Sequence, residues 1–250
     1  MRTAVTLMAA LIMAFGFAQD LEGRLIQVGS DTTYPPFEIV DDSGNIVGFD
    51  VDVVNAICER VNCEVEFVTY AWDGIVAAIG AGTFEDFDMV ASGVSITDER
   101  DETADFSEPY LVVNQAIATR VEDEGLTVED FTPGGEYTLG AQLGTTNADL
   151  ATELVGEESV TTYDDFNSAV QALLNGDIDG VAIDGVTADA FANQYAGDLV
   201  VNIRGLSADP LGFVFEEGDE LIDAFNAGLM MIQEDGTLDE LTAKWFGEAE

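Results

Sequence analysis

Few residues in this chain can do chemistry, and they are one-sided. There is no histidine, and cysteine occurs twice, at Cys58 and Cys63. Without an imidazole neither a Ser-His-Asp nor a Cys-His nucleophile can be assembled, and zinc loses a principal nitrogen ligand. "GAGT" (80–83) lacks the lysine and spacing of a phosphate-cradling loop. With 50 acidic residues against seven basic ones, paired carboxylates are too common to single out a site. Arg100 is the unusual residue, set among Asp98, Glu99, Asp101 and Glu102 in "ASGVSITDERDE". Either it relieves four carboxylates at a solvated helix start, or its planar fork is kept for an anion from outside, such as a carboxylate.

Several short stretches offer polar groups to a common cleft. "SDTTYPPFE" puts Asp31 and Tyr34 directly after a strand, with two prolines stiffening the turn. "YAWDG" leaves Trp72 at a strand–helix junction. "SGVSITDER" supplies the backbone of Ser92 and Gly93, the Ser95 hydroxyl, and Arg100 in a first helical turn that Thr97 can cap. "AQLGTTNADL" places Gly144, Thr145 and Thr146 at a helix N-terminus, whose free N–H groups and dipole favour a carboxylate. "VAIDGVT" ends a strand on Asp184. Each has a plainer reading: an Asp after a strand caps the next helix, and a Trp at such a junction belongs to the core.

The elements that would position these residues alternate strand with helix. "LIQVGS", "CEVEFVTY", "DMVASGVS", "AIATR", "YTLGAQ" and "GVAID" read as strands. "FDVDVVNAICERV", "WDGIVAAIGAGT", "NADLATELV", "DDFNSAVQALLNG", "VTADAFANQY" and the two closing segments read as helices. This rhythm predicts an α/β fold with largely parallel sheets and a ligand at the strands' carboxyl ends. Pro109 in "SEPYLVV" and Pro210 in "RGLSADPLG" interrupt it, as chain crossings between two lobes would; no internal repeat is evident.

The remaining composition bears on compartment and partners. Residues 1–18 read as a secretory signal: Arg2, an apolar run from Ala4 to Phe17, and a small-x-small cleavage site ending at Ala18. The run is short for a spanning helix. In an exported protein Cys58 and Cys63 are expected to form one disulfide, a local staple between a helix end and a strand start. The formal charge of −43 repels nucleic acid and anionic membranes. Carboxylates spread along the whole chain with almost no lysine suit a high-salt environment, where screening reduces self-repulsion.

"SDTTYPPFE", "GNIVGFDVDVVNAIC", "SGVSITDERDETADFSEPY", "LGTT" and "QEDGTLDELTAKWFG" occur here in the order found in the amino-acid-binding proteins of bacterial ABC importers. From about Leu25 onward the chain resembles that family (solute-binding protein family 3), close in pattern to lysine/arginine/ornithine-, histidine-, arginine- and glutamine-binding members. The resemblance implies the two-lobe periplasmic binding protein fold of type II, its α/β lobes joined by two crossing strands. Lobe 1 would comprise 24–109 plus 212–250, lobe 2 113–206, with the hinge at about 109–113 and 207–212. By position, Arg100 resembles the residue that takes the ligand α-carboxylate, with backbone N–H groups of Ser95 and Thr146. Asp184, the Gly93 carbonyl and the Ser95 hydroxyl resemble the α-ammonium site. Tyr34 and Trp72 resemble the aromatic walls around the ligand side chain, and Asp31 and Gln142 fall where its far end is read. Members of the lysine/arginine/ornithine type space their two cysteines more widely than Cys58 and Cys63.

Charge bookkeeping then favours a basic ligand. With Arg100 on the α-carboxylate and Asp184 on the α-ammonium, Asp31 is left as an unpaired charge in a dehydrated cleft. Arginine, lysine or ornithine would resolve this, its stem lying against Tyr34 and Trp72. Glutamine is the rival, since an amide can donate to Asp31; glutamine-binding relatives tend to carry lysine where this chain has Gln142. The expected protein is a periplasmic receptor that performs no chemistry, needs no cofactor, works as a monomer and hands a free L-amino acid to a membrane permease. The alternatives are a periplasmic dehydratase of prephenate-like acids, which needs more cations than Arg100, and a sensory ligand-binding domain.

Overall fold

The strands Leu139–Gln142 and Gly180–Asp184 are buried at every position, as strands covered on both faces must be. They lie at the heart of one of two five-stranded sheets in a computed structural model that describes residues 20–247. The leader read over residues 1–18, with its cleavage site, lies outside the described residues. Among those residues no helix is long and apolar enough to cross a membrane.

The first sheet runs Cys63–Thr69, Arg24–Ser30, Met89–Val90, Val214–Glu216, Ala104–Phe106. The second runs Val160–Tyr163, Leu139–Gln142, Gly180–Asp184, Gln115–Arg120, Leu199–Ile203. Both share one plan, in which the fourth strand runs antiparallel to its neighbours. That is a departure from largely parallel sheets with a simple cause. Each fourth strand is the first that the chain enters after crossing from the other sheet, with no helix between to reverse it. The crossings are the antiparallel strands Leu111–Val113 and Asp209–Leu211, which lie inside "SEPYLVV" and "RGLSADPLG".

Local sequence accounts for the helices. Phe49–Val61 opens with Asp50 and Asp52 in its first turn, carries Arg60 in its last, and stops where Asn62 turns left-handed. Cys63 begins the next strand, and its disulfide to Cys58 spans a Cα separation of 4.7 Å, the local staple expected. On that outer strand Glu64 and Glu66 are exposed, charges that discourage edge-to-edge pairing. A small sheet of Thr33–Tyr34, Glu38–Val40 and Ile46–Val47 covers the end of the first sheet and carries Tyr34 and Glu38 inward.

Candidate functional site

The polar residues converge because the strands end there. Asp31 follows Ser30, Ser92 and Gly93 follow Val90, and Gln142 and Asp184 are the last residues of their strands. All eleven residues singled out by the sequence line one cleft between the lobes: Asp31, Tyr34, Trp72, Ser92, Gly93, Ser95, Arg100, Gln142, Thr145, Thr146 and Asp184. Asn147 and Phe166 complete the lining.

Arg100 sits in the short helix Asp98–Asp101, where the Thr97 hydroxyl accepts the Arg100 N–H at 3.2 Å. Its acidic neighbours are exposed. The guanidinium turns inward, donating to the Ser95 carbonyl at 2.9 Å and to the Gly144 carbonyl of the opposite lobe at 3.1 Å, and lies 5.6 Å from the centre of the Trp72 ring. Every other described basic residue makes an ion pair; Arg100 makes none among the described residues. Burial lowers its pKa from the ordinary arginine value, with the charges of Asp149, Glu99 and Asp184 opposing.

The acidic residues are deeper. Asp184 is 2% exposed and starts the helix Gly185–Gln194, yet its side chain caps nothing there. It accepts instead from the Tyr34 hydroxyl across the cleft and from Asn147 Nδ2 at 3.3 Å. Burial lifts its pKa from 3.8 to about 6, against the pull of those two donors. Asp31 accepts from the Thr33 N–H at 3.2 Å, the Thr33 hydroxyl at 2.7 Å and Gln142 Nε2 of the opposite lobe at 2.8 Å. All three are neutral donors, and among the described residues no cation pairs with it.

Tyr34 is 6% exposed. Its ring stacks against Phe37 at 5.0 Å and Phe166 at 5.5 Å, and it reaches the site through its hydroxyl. Burial raises that hydroxyl's pKa well above 10. Trp72 is 6% exposed, with Nε1 making no hydrogen bond. Gly93 must be glycine: its φ is +54°, and a Cβ there would come within 2.7 Å of the Tyr34 ring. The Thr145 hydroxyl accepts from the Ala148 N–H at 3.1 Å and caps Thr146–Val155, leaving Thr146 at the opening of that helix.

Asn147 and Phe166 were missed from sequence. Asn147 directly follows Thr146, and its Oδ1 is buried without a partner. Its signal was its place in the first turn of a helix already assigned to the cleft. Phe166 opens the helix after Val160–Tyr163, another strand end facing the cleft.

Two α/β lobes that trap a cleft between the carboxyl ends of their strands define a two-lobe binding protein of type II. The chain belongs to the bacterial extracellular solute-binding proteins, family 3, whose model it matches over residues 26–248. It is 30% identical to the arginine-binding periplasmic protein of Mannheimia haemolytica, across 95% of this chain and 97% of that one. It is 31% identical to the L-cystine-binding protein TcyJ of Escherichia coli K12, across 90% and 84%. Among solved structures, an ancestral arginine-binding protein bound to glutamine superposes with a TM-score of 0.82, at 33% identity over 90% of this chain and 98% of that one.

Proposed function

We infer that this protein is an exported receptor that captures a basic L-amino acid (arginine, lysine or ornithine) and delivers it to the permease of an ABC importer. One observation carries the reading: the Arg100 guanidinium, which makes no ion pair among the described residues, shares one cleft with two buried carboxylates, Asp31 and Asp184. A zwitterion satisfies Arg100 and Asp184, and only a side-chain cation neutralises Asp31. In this reading Arg100 takes the α-carboxylate with the N–H groups of Ser95 and Thr146. Asp184 takes the α-ammonium, with the Gly93 carbonyl and the Ser95 hydroxyl. Tyr34 and Trp72 flank the ligand stem, while Asp31 and Gln142 meet its far end; Ser92 and Thr145 complete the lining.

The lobes 24–109 plus 212–250 and 113–206 close about the crossings, and contacts with both lobes favour closure. The leader over 1–18 directs export, and the acidic surface suits a salty exterior. Glutamine is the second reading, favoured by the Gln142–Asp31 hydrogen bond, which an amide ligand could share. A dehydratase of prephenate-like acids would have to hold two substrate carboxylates with Arg100 alone.

Calorimetric titration in high salt with L-arginine, L-lysine, L-ornithine, L-histidine, L-glutamine and L-glutamate tests this. A basic amino acid is expected to bind tightly, and Asp31→Asn to weaken it by about tenfold or more. Binding of glutamine alone would keep the receptor and remove the basic ligand. No binding by any, with turnover of prephenate, would favour the enzyme.

A further inference from the structure

Behind the cleft lie two carboxylates that the binding reading does not use. Glu38 and Asp50 are each 0% exposed. Glu38 Oε1 accepts from the Ser92 hydroxyl at 2.6 Å, and that hydroxyl accepts in turn from the Asp31 N–H at 3.0 Å. Asp50 Oδ2 accepts from the Gly93 N–H at 2.8 Å and the Tyr110 hydroxyl at 2.9 Å. Their remaining oxygens, Glu38 Oε2 and Asp50 Oδ1, accept from no group among the described residues.

Among the described residues nothing positive compensates the two. The titratable groups around them are Asp31 from the strand end, Tyr34 from the small sheet and Tyr110 from the approach to the crossing. Among the described residues, the ion pairs of Arg24, Arg60, Arg120, Arg204 and Lys244 end on other carboxylates, and Arg100 is turned into the cleft. Two adjacent buried carboxylates without a cation retain a proton, because each charge raises the cost of the other. Burial drives both upward, Asp50 to about 7 and Glu38 well above its usual 4.5. Asp50 accepts two donors where Glu38 accepts one, so Asp50 is the better-stabilised anion and Glu38 carries the proton.

The pair touches the two parts of the molecule that binding has to connect. Ser92 and Gly93 line the cleft. Tyr110 immediately precedes the crossing strand Leu111–Val113; its N–H donates to the Leu211 carbonyl at 3.0 Å, and its ring stacks on Phe213 at 4.4 Å. We propose that Glu38 and Asp50 are positioning residues that hold one proton between them, and that this protonated pair fixes the Ser92–Gly93 wall against the crossing and so sets solute affinity. The proposal rests on the cleft being the solute site.

The purified protein, with L-arginine as probe, is titrated by calorimetry from about pH 6 to about pH 9, alongside Glu38→Gln and Asp50→Asn. Each amide brings fixed hydrogens to the position of the mobile proton. Glu38→Gln is expected to match the natural protein near pH 6 and to bind at least about fivefold more tightly than it near pH 9. Comparing the two proteins at each pH cancels titration of the ligand and of Asp184. An affinity ratio that stays constant with pH overturns the proposal. If the amide variants fail to fold, infrared spectroscopy of the natural protein near pH 8 decides: a protonated-carboxyl stretch is expected, and its absence overturns the proposal. Failure of L-arginine to bind the natural protein at every pH would instead count against the basic-amino-acid reading, and the infrared band would still test the shared proton.

Discussion

A carboxylate that is to meet an ammonium must first lose its proton, and for Asp184 burial sets that step at about pH 6. Two effects of opposite sign follow. The folded pKa lies above the unfolded 3.8, so the contribution to stability is fully present below about pH 4 and is lost as pH rises towards 6. Affinity for an amino acid moves the other way, since only the ionised form pairs with the α-ammonium. Titrations between about pH 5 and about pH 8 are expected to show affinity rising by up to tenfold per unit below 6, with the part of the rise that belongs to Asp184 complete by about pH 7. A flat profile would mean that Asp184 does not meet the ammonium. At this scale the sequence was informative where a residue type was out of place. Arg100 was visible as a lone cation among four acids, and it is the one described basic residue without an ion pair. Asn147 and Phe166 did not stand out by type, because an Asn in a first helical turn and a Phe at a helix start look the same as ordinary capping and core residues; only position beside Thr146 pointed to Asn147.

Strands matter here mainly for where they end. The Cys58–Cys63 bridge sits at the start of Cys63–Thr69, and the cleft lies beyond the opposite ends of the strands, about 20 Å away for a seven-residue strand. Replacing both cysteines by serine is therefore expected to lower stability by about 2 kcal/mol, the chain-entropy contribution of so short a loop. Affinity should stay within about twofold of the natural protein, because the bridge positions no cleft residue. Urea midpoints and calorimetry on the same samples check both halves. Helices such as Phe49–Val61 were legible nearly to the residue, since periodicity and end charges agreed. "DMVASGVS" was not: only Met89–Val90 is strand, and the chain then bends through Gly93. The apolar run reads as strand, but part of its backbone is spent on the cleft wall.

The whole molecule carries a formal charge of −43. Self-repulsion of that size predicts a melting temperature that rises by several degrees between dilute buffer and molar KCl, as the screening length shortens to about 3 Å. A melting temperature indifferent to salt would remove the high-salt reading. The shared plan of the two sheets left no repeat in the sequence, because the same strand order is assembled from different residues and loops; topology constrains where apolar residues fall, not which ones they are. That plan brings donors and acceptors of the two lobes face to face: Tyr34 donates to Asp184, Gln142 to Asp31, and Arg100 to Gly144. A solute entering this cleft thus takes part in an exchange reaction, displacing bonds the protein already makes with itself. Each polar partner it displaces without replacing leaves a buried group unmatched, at about 1–3 kcal/mol apiece. The protein's own side chains act as a standing competitor, and selectivity comes from the requirement that an incoming molecule restore every interaction it interrupts.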